Sequence, residues 1–555
     1  MQHLSPIKRF WQLLKEDKKD LGRIYTYAVF HGLVNLSIPL GIQAIVNLIQ
    51  GGQVSSSWIV LVSIVVAGVV FSGVLQLFQL RIIENMQQKL FVRSAFEFTF
   101  RIPKIKSEAI DQYNAPELMN RFFDTLSIQK GLSKILIDFS TATLQVVFGL
   151  LLLSFYHPFF VLFSFALLIL VYIIYMLTAK KGLDTSLNES KYKYRVAFWL
   201  QNLAQNKDTF KLAGATELHL QKTDSHVQGY LNYREKHFKV LRQQYTLLVV
   251  FKSLVAAGLL IIGGLLVLNQ QMNIGQFIAA EIIILLVLNS VEKLILSVEN
   301  IYDVLAALDK IGLVTDLETE SNAGQSFGLV HQAGSGIEVE IKNLQFSYPN
   351  SKALAISQFD LQLQAGEKVC IFGENGSGKS TLLHLIAGLY QIHHGSISFN
   401  GLPIGNFNPE EMRAQMGIRF AEEQLFQGTL YDNISIGRSD VKFDDVLWAI
   451  DKMQLSEFVK SLPKGLDTEV GAEGDKLSKS IVQKILLARS IANKPGLLLL
   501  ENSIVFIEKT DREKIIDFLC SKAQQWTLIT TSSDVYFRSS CMRMVEMKIT
   551  KTRNI

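Results

Sequence analysis

Apolar residues fall into long unbroken runs in the first half of the chain and into short ones in the second. The runs Ile24–Ile49, Trp58–Leu80, Ile135–Phe155, Phe159–Leu177, Tyr245–Leu268 and Ile274–Ile295 each approach the ~20 residues that a helix needs to cross the hydrocarbon of a bilayer. They predict six transmembrane helices. The short connections Gly51–Ser57, Tyr156–Pro158 and Asn269–Asn273 carry no Lys or Arg, whereas the long ones, Arg81–Lys134 and Lys180–Arg242, are full of both. Basic residues stay on the inner side of a membrane, so the long connections, the N-terminus and the second half are expected in the cytoplasm. Because the long connections keep a helical period, the crossings are expected to continue into the cytosol as stalks. Buried helices of a soluble core have no reason to alternate in charge this way.

Ahead of the first crossing, Met1–Arg23 is basic (Lys8, Arg9, Lys15, Lys18, Lys19) and lacks the apolar core of a cleavable signal peptide. Ile7, Phe10, Trp11 and Leu14 share one helical face, which predicts an interfacial helix over residues 1–21 resting on membrane lipid. A helix packed on the protein itself is the alternative. Residues 22–308 then form the transmembrane domain. Lys252 and Glu281 lie inside apolar runs, where an ionisable group is a candidate for cargo or ion contact. Lys252 is close enough to the inner edge to snorkel there, while Glu281 stays open between the two roles. Asn35, Gln43, Asn47, Thr141 and Gln145 fit helix packing as well as cargo contact.

Past Leu308 the composition shifts. Thr315–Gly336 is rich in Gly, Ser, Thr and Glu, placing a linker at 309–336. From Ile337 to Ile555, short β-type runs alternate with helical patterns, the grammar of an α/β domain.

Composition agrees with this division. Of 555 residues, 49% are hydrophobic and 19% charged, too apolar for an ordinary soluble enzyme. The net charge of +5 comes from basic blocks between apolar runs rather than from one stripe, which argues for membrane topology and no nucleic acid partner. Cys370, Cys520 and Cys541 lie in the second half without metal-ligand spacing, as reduced thiols would.

The most specific chemistry lies at Gly373, Glu374, Asn375, Gly376, Ser377, Gly378, Lys379 and Ser380. A strand-like run, Lys368–Phe372, precedes it, and a helix-like run opens at Thr381. Glycines let backbone N–H groups converge on phosphates, the new helix aims its positive end at them, Lys379 adds a full charge and Ser380 offers a ligand to Mg2+. Upstream, Tyr348 follows a strand-like run and is either a platform for a nucleotide base or an ordinary core or surface tyrosine. Downstream, the buried-strand run Pro495–Leu500 ends in Glu501, which can hold Mg2+ directly or through water. ATP with Mg2+ is the expected ligand.

With these residues in place the chain resembles a half-transporter of the ATP-binding-cassette exporter type. Its fold class is then a membrane all-α six-helix exporter-type domain plus an α/β P-loop NTPase domain of the ABC type. Further matches are Ser347-Tyr348-Pro349, Arg413–Gly417, Leu425–Thr429, Asn433-Ile434 and Leu462–Gly471 running into Gly474–Ser478. Tyr113–Arg121 and Asp124 resemble the inner connection that docks on the cassette in such exporters. The resemblance implies export of peptides, proteins or lipophilic compounds, with no peptidase-like domain ahead of the crossings. It also implies a homodimer or a heterodimer with a second half-transporter, each nucleotide clamped between the phosphate loop of one chain and the signature of the other.

Several positions depart from that pattern. Where the family has an Asp-Glu pair this chain has Glu501-Asn502, and an amide cannot act as a base. The signature Leu-Ser-Gly-Gly-Gln reads Leu477, Ser478, Lys479, Ser480, Ile481, and Val482-Gln483-Lys484 follows it. Ala421 stands for the coupling glutamine, Ser533 for the histidine after the last core strand, and Val505–Glu508 for the following turn. No catalytic residue is left intact, so the reading is an exporter subunit that binds MgATP and hydrolyses it poorly. A non-transporting, nucleotide-gated scaffold and an active homodimeric exporter are the alternatives.

Overall fold

The computed structural model describes residues 4–50, 56–111, 113, 115–329, 334–349, 351, 353–471, 474 and 476–549. Parts of the first short connection (51–55) and of the linker (330–333), with Asn114 and Asp475 of the quoted motifs, lie outside the described residues. The chain divides into two compact units, Met1–Pro103 with Tyr113–Leu317, and Lys104–Gln112 with Glu318–Ile555.

The first unit is helical: α1 Pro6–Glu16, α2 Lys18–Gln50, α3 Ser56–Arg101, then, after α4 (Ser107–Ile110) of the second unit, α5 Ala115–Asn120, α6 Asp124–Lys134, α7 Ser140–Ser154, α8 Pro158–Gln205, α9 Lys207–Leu212, α10 Leu218–Leu268 and α11 Ile274–Thr315. Among the described residues, six helices are long and apolar enough to cross a membrane. At 48 residues, α8 runs ~70 Å, well beyond a bilayer core. Short connections are closed by local chemistry: His157 accepts from the Phe159 N–H ahead of Pro158 at the first turn of α8, and Asn273 and Gln276 form a reciprocal capping box on α11. One π-helical turn, Ile135–Phe139, separates α6 from α7.

Apolar side chains cover the outside of this unit, Ile64 61% and Leu162 73% exposed, as lipid contact requires. Polar groups inside pair with one another. Ser290 Oγ donates to Gln145 Oε1 (2.8 Å) and Tyr156 to Gln43 (2.6 Å); Lys252 makes an ion pair with Glu292 of α11 rather than standing alone. In α1, Phe10, Leu13 and Leu14 pack against Ile24, Ile83 and Met86, leaving Ile7 and Trp11 52% and 64% exposed. Three glycines let backbones close on α11. A Cβ on Gly131 (α6), Gly149 (α7) or Gly182 (α8) would come within 2.3, 2.6 and 2.4 Å of Val304, Val287 and Tyr302 respectively.

The second unit holds β1 Val339–Phe346, β2 Ile356–Leu363, β3 Lys368–Phe372, β4 His394–Phe399, β5 Leu402–Pro403, β6 Met416–Arg419, β7 Gly428–Thr429, β8 Glu469–Val470, β9 Leu497–Glu501, β10 Thr527–Thr531 and β11 Arg543–Glu546. Its helices are α12 Lys379–Ile386, α13 Pro409–Ala414, α14 Leu430–Ser435, α15 Phe443–Lys452, α16 Ser456–Ser461, α17 Lys479–Ile491, α18 Lys509–Cys520 and α19 Val535–Ser540. An antiparallel sheet in the order β2-β1-β4-β5 and a parallel sheet in the order β11-β3-β10-β9-β6 enclose α12 in one core. α14, α15, α17 and α18 build a second core that reaches Leu498, Leu500 and Leu528 of the parallel sheet.

The docking connection is placed slightly differently from the resemblance. The stretch that joins the α/β unit is Lys104–Gln112, and from Tyr113 the chain, with Arg121 and Asp124, belongs to the helical unit. Charge explains the choice: Lys104 pairs with Glu410 (2.9 Å) and Lys106 with Glu318 (2.6 Å), Glu108 accepts from the Gln391 N–H (2.6 Å) and Asp111 from Tyr390 (3.0 Å).

Candidate functional site

Four buried residues of β3 end at Phe372, and the chain turns through Gly373, Glu374, Asn375, Gly376, Ser377 and Gly378 into α12. The turn needs glycine. Gly378 has φ +90°, and a Cβ there would stand 2.4 Å from the Ala355 carbonyl; one on Gly373 would stand 2.1 Å from the Met547 carbonyl. Met547 is held by its own N–H on the Phe372 carbonyl (2.8 Å), so β11 braces the loop from beside β3. Ser377 is buried, and the Lys379 ammonium folds over the loop, donating to the carbonyls of Gly373 (2.9 Å) and Glu374 (2.7 Å) and to Ser377 Oγ (3.2 Å). Burial and nearby Arg538 hold Lys379 below its ordinary pKa, with Glu501 opposing. A cradle of backbone donors, closed by one cation at a helix N-terminus, fits a triphosphate.

Opposite the loop, β9 carries Glu501 to the same place. Ser380 donates to Glu501 Oε1, and the Ala421 N–H donates to Oε2 (3.1 Å). A hydroxyl and a carboxylate in direct contact are the hard oxygen donors that Mg2+ takes beside phosphates, so Ser380 and Glu501 fit that ion. Tyr348 is bonded to Thr381 of α12 (3.0 Å) and packs edge-on against Phe346 and Tyr390 at 5.2 and 5.4 Å. It therefore belongs to an aromatic cluster at the entrance of the loop rather than standing free.

The positions expected to cut the nucleotide look different. Asn502 follows Glu501 with φ +42°, its N–H on the Thr531 carbonyl (2.9 Å) and its side chain exposed. Asn is among the few residues that accept this left-handed conformation readily. Ser533 is exposed beyond the end of β10, while the neighbouring Ser532 accepts from the Asp534 N–H (3.1 Å). In the degenerate signature, Ser478 caps α17 by accepting from the Ile481 N–H (3.3 Å), Leu477 and Ile481 pack on the helical core, and Ser480 is half-buried. Lys479 lies over the Phe506 ring at 5.0 Å.

One residue at the site escaped sequence reasoning. Arg419, 4% exposed at the end of β6, donates to the Glu501 carbonyl (2.9 Å); burial pulls its pKa down while Glu423 and Glu501 oppose the change. Burial holds Glu423 above the ordinary carboxylate range, partly offset by the Phe420 N–H, Arg489 and Arg419. An arginine closing the apolar run Met416-Gly-Ile was the available signal, because arginine is almost never fully buried without a partner.

Comparison with known proteins agrees with this geometry. Residues 24–291 match the family described as ABC transporter transmembrane region, and residues 356–504 the family described as ABC transporter. The putative multidrug export ATP-binding/permease protein YgaD of Bacillus subtilis is 25% identical over 533 residues, 90% of this chain and 87% of that protein. The ABC-type transporter kk1G of Curvularia clavata is 30% identical over 210 residues, 38% of this chain but only 16% of the fungal protein's length. In fold, a bacterial Atm1-family ABC exporter with ATP bound is similar at a TM-score of 0.78 over 96% of this chain and 93% of that one, with 18% identity.

Proposed function

The chain belongs to the ABC transporter family, with that family's membrane region and nucleotide-binding domain fused in one multi-pass polypeptide, and from that premise we propose that it is an exporter subunit which grips MgATP but hydrolyses it poorly. The observation that carries this reading is the contrast at the end of β9. Ser380 donates a hydrogen bond to Glu501, a pair of oxygen donors that fits Mg2+, while the next residue, Asn502, offers an exposed amide where the family places its base.

Each residue then has a stated part. The Gly373–Gly378 turn presents backbone donors to the phosphates, Lys379 exchanges its loop carbonyls for phosphate oxygens, and Ser380 with Glu501 would hold Mg2+, which would offset phosphate charge there. Bound ATP supplies the free energy that draws two such domains together. Without a carboxylate at 502, no group in line with Glu501 takes the proton of an attacking water. The Lys479 and Ser480 side chains narrow the approach that glycines leave open to a γ-phosphate on a facing chain. The N-terminus and the α/β unit are cytoplasmic by the charge of the long connections. Two chains assemble, this one with itself or with a second half-transporter.

The test is ATPase activity of the purified assembly in detergent with Mg2+. Nucleotide retention with turnover near background is expected, retention being lost in Lys379→Ala. Robust turnover by the homodimer, abolished in Lys379→Ala, refutes the proposal.

A further inference from the structure

A peptide plane is fixed by what holds its carbonyl and its N–H, and the plane between Glu501 and Asn502 is held on both sides. Toward β10, the Asn502 N–H donates to the Thr531 carbonyl (2.9 Å). Toward β6 the strand ladder has already run out, since it begins with Met416 opposite Leu497 and ends with Arg419 opposite Leu500. The next two N–H groups of that chain are engaged elsewhere, Phe420 on Glu423 Oε1 (3.2 Å) and Ala421 on Glu501 Oε2 (3.1 Å). The Glu501 carbonyl takes its bond from a side chain instead, Arg419 Nη1 at 2.9 Å. We propose that Arg419 is a positioning residue for the metal of MgATP: by clamping the Glu501–Asn502 peptide plane it keeps the Glu501 carboxylate on the Ser380 hydroxyl, the pair that would hold Mg2+.

Glu501 is the last residue of β9, and the end of a strand is held only as firmly as the peptide unit that follows it. Asn502, at φ +42°, takes the chain out of the strand at once, so β9 itself gives Glu501 no further support. The clamp restores it. It also sets the spacing between the tail of β6 and the end of β9, and with it the reach of the Ala421 N–H to the carboxylate. Both carboxylate oxygens are then placed, Oε1 by Ser380 and Oε2 by Ala421.

A guanidinium is a costly donor for one carbonyl. Arg419 is 4% exposed, and its Nε has no hydrogen-bond partner among the described residues; a buried charge with incomplete bonding is harder to carry than a neutral amide. A fold that needed only to finish its ladder is served better by a neutral side chain. What the guanidinium adds is direction: rigid and planar, with its donors fixed in a fork, it holds the orientation of a carbonyl more closely than a flexible ammonium does. Groups that orient a metal ligand by hydrogen bonding carry about 10–100-fold of metal affinity.

This rests on the reading that the site grips MgATP. Equilibrium binding of labelled AMP-PNP, an ATP analogue that is not hydrolysed, is measured on the full-length protein in detergent, once with saturating Mg2+ and once with EDTA. The ratio of the two dissociation constants reports what the protein adds to the metal affinity of its bound nucleotide, because the coupling of two ligands is reciprocal. In Arg419→Met the ratio is expected to fall toward one by about 10–100-fold, with the dissociation constant in EDTA unchanged. Arg419→Lys, which keeps the charge and a donor on a long stem, recovers part of the ratio. Arg419→Gln, polar but too short for the carbonyl, behaves as Arg419→Met does and takes its place if that variant does not fold. Equal weakening in both conditions, as a purely structural residue would give, or an unchanged ratio overturns the proposal and leaves the MgATP reading standing. Wild-type protein that binds no nucleotide, or binds it equally with and without Mg2+, overturns both.

Discussion

Replacing Asn502 by Glu restores the family's carboxylate and tests whether its absence limits turnover. A positioned general base contributes about 10²–10⁴ in rate, which at about 1.4 kcal/mol per tenfold is roughly 2.7–5.5 kcal/mol of barrier. Against this stands the backbone. Asn502 sits at φ +42° with its N–H fixed on the Thr531 carbonyl, and a residue less suited than Asn to that region costs on the order of 1–2 kcal/mol. The side chain is exposed, so no packing penalty is added. That backbone strain is borne alike by the ground and transition states and lowers fold stability rather than rate, so a rise of roughly a hundred- to ten-thousandfold is expected. The assay is single-turnover hydrolysis of labelled ATP by the purified full-length protein, with retention measured in parallel so that binding and cleavage are separated. A variant that retains ATP and cleaves it no faster than wild type would falsify the assignment of the defect to position 502.

Gly378→Ala and Gly376→Ala separate steric from conformational demands in the loop. Both positions have positive φ, but a Cβ at 378 meets the Ala355 carbonyl whereas one at 376 meets nothing within 4 Å. Loss of detectable ATP retention is expected for the first, and for the second a weakening limited to about 1–2 kcal/mol of backbone strain, read by equilibrium binding. Glu423→Gln removes a half-buried carboxylate whose Oε2 has no hydrogen-bond partner among the described residues. The folded-state pKa of Glu423 lies above its ordinary value, so the folded protein favours the protonated acid, and its ionisation destabilises the fold as pH rises. The glutamine variant is therefore expected to be more stable by about 1 kcal/mol at neutral pH. That advantage shrinks toward zero as pH falls through the raised pKa toward the ordinary one, in thermal unfolding scans across the range.

Much of the architecture was legible because membrane solvent imposes a simple rule. Runs such as Trp58–Leu80 and Phe159–Leu177 have one stable solution in lipid, and the caps at His157 and Asn273 are local. The glycine turn between β3 and α12 was equally legible as a backbone shape, since positive φ at Gly376 and Gly378 and a helix opening at Lys379 are written in adjacent residues. What local pattern could not carry was convergence. An arginine closing Met416-Gly-Ile signals a buried partner, but nothing near it announces that β6 and β9 bring it to the Glu501 carbonyl. The docking stretch was displaced for the same reason: Lys104, Lys106 and Glu108 are unremarkable surface charges until Glu410, Glu318 and the Gln391 N–H come to meet them.

The glycines that receive Val304, Val287 and Tyr302 also constrain how the helical unit can change shape. A side chain seated where a methyl group has no room works like a tenon in its mortise, and α6, α7 and α8 each hold one such joint with α11. Each joint opposes rolling or sliding of its helix against α11, so an alanine at Gly131, Gly149 or Gly182 has to push its partner on α11 aside.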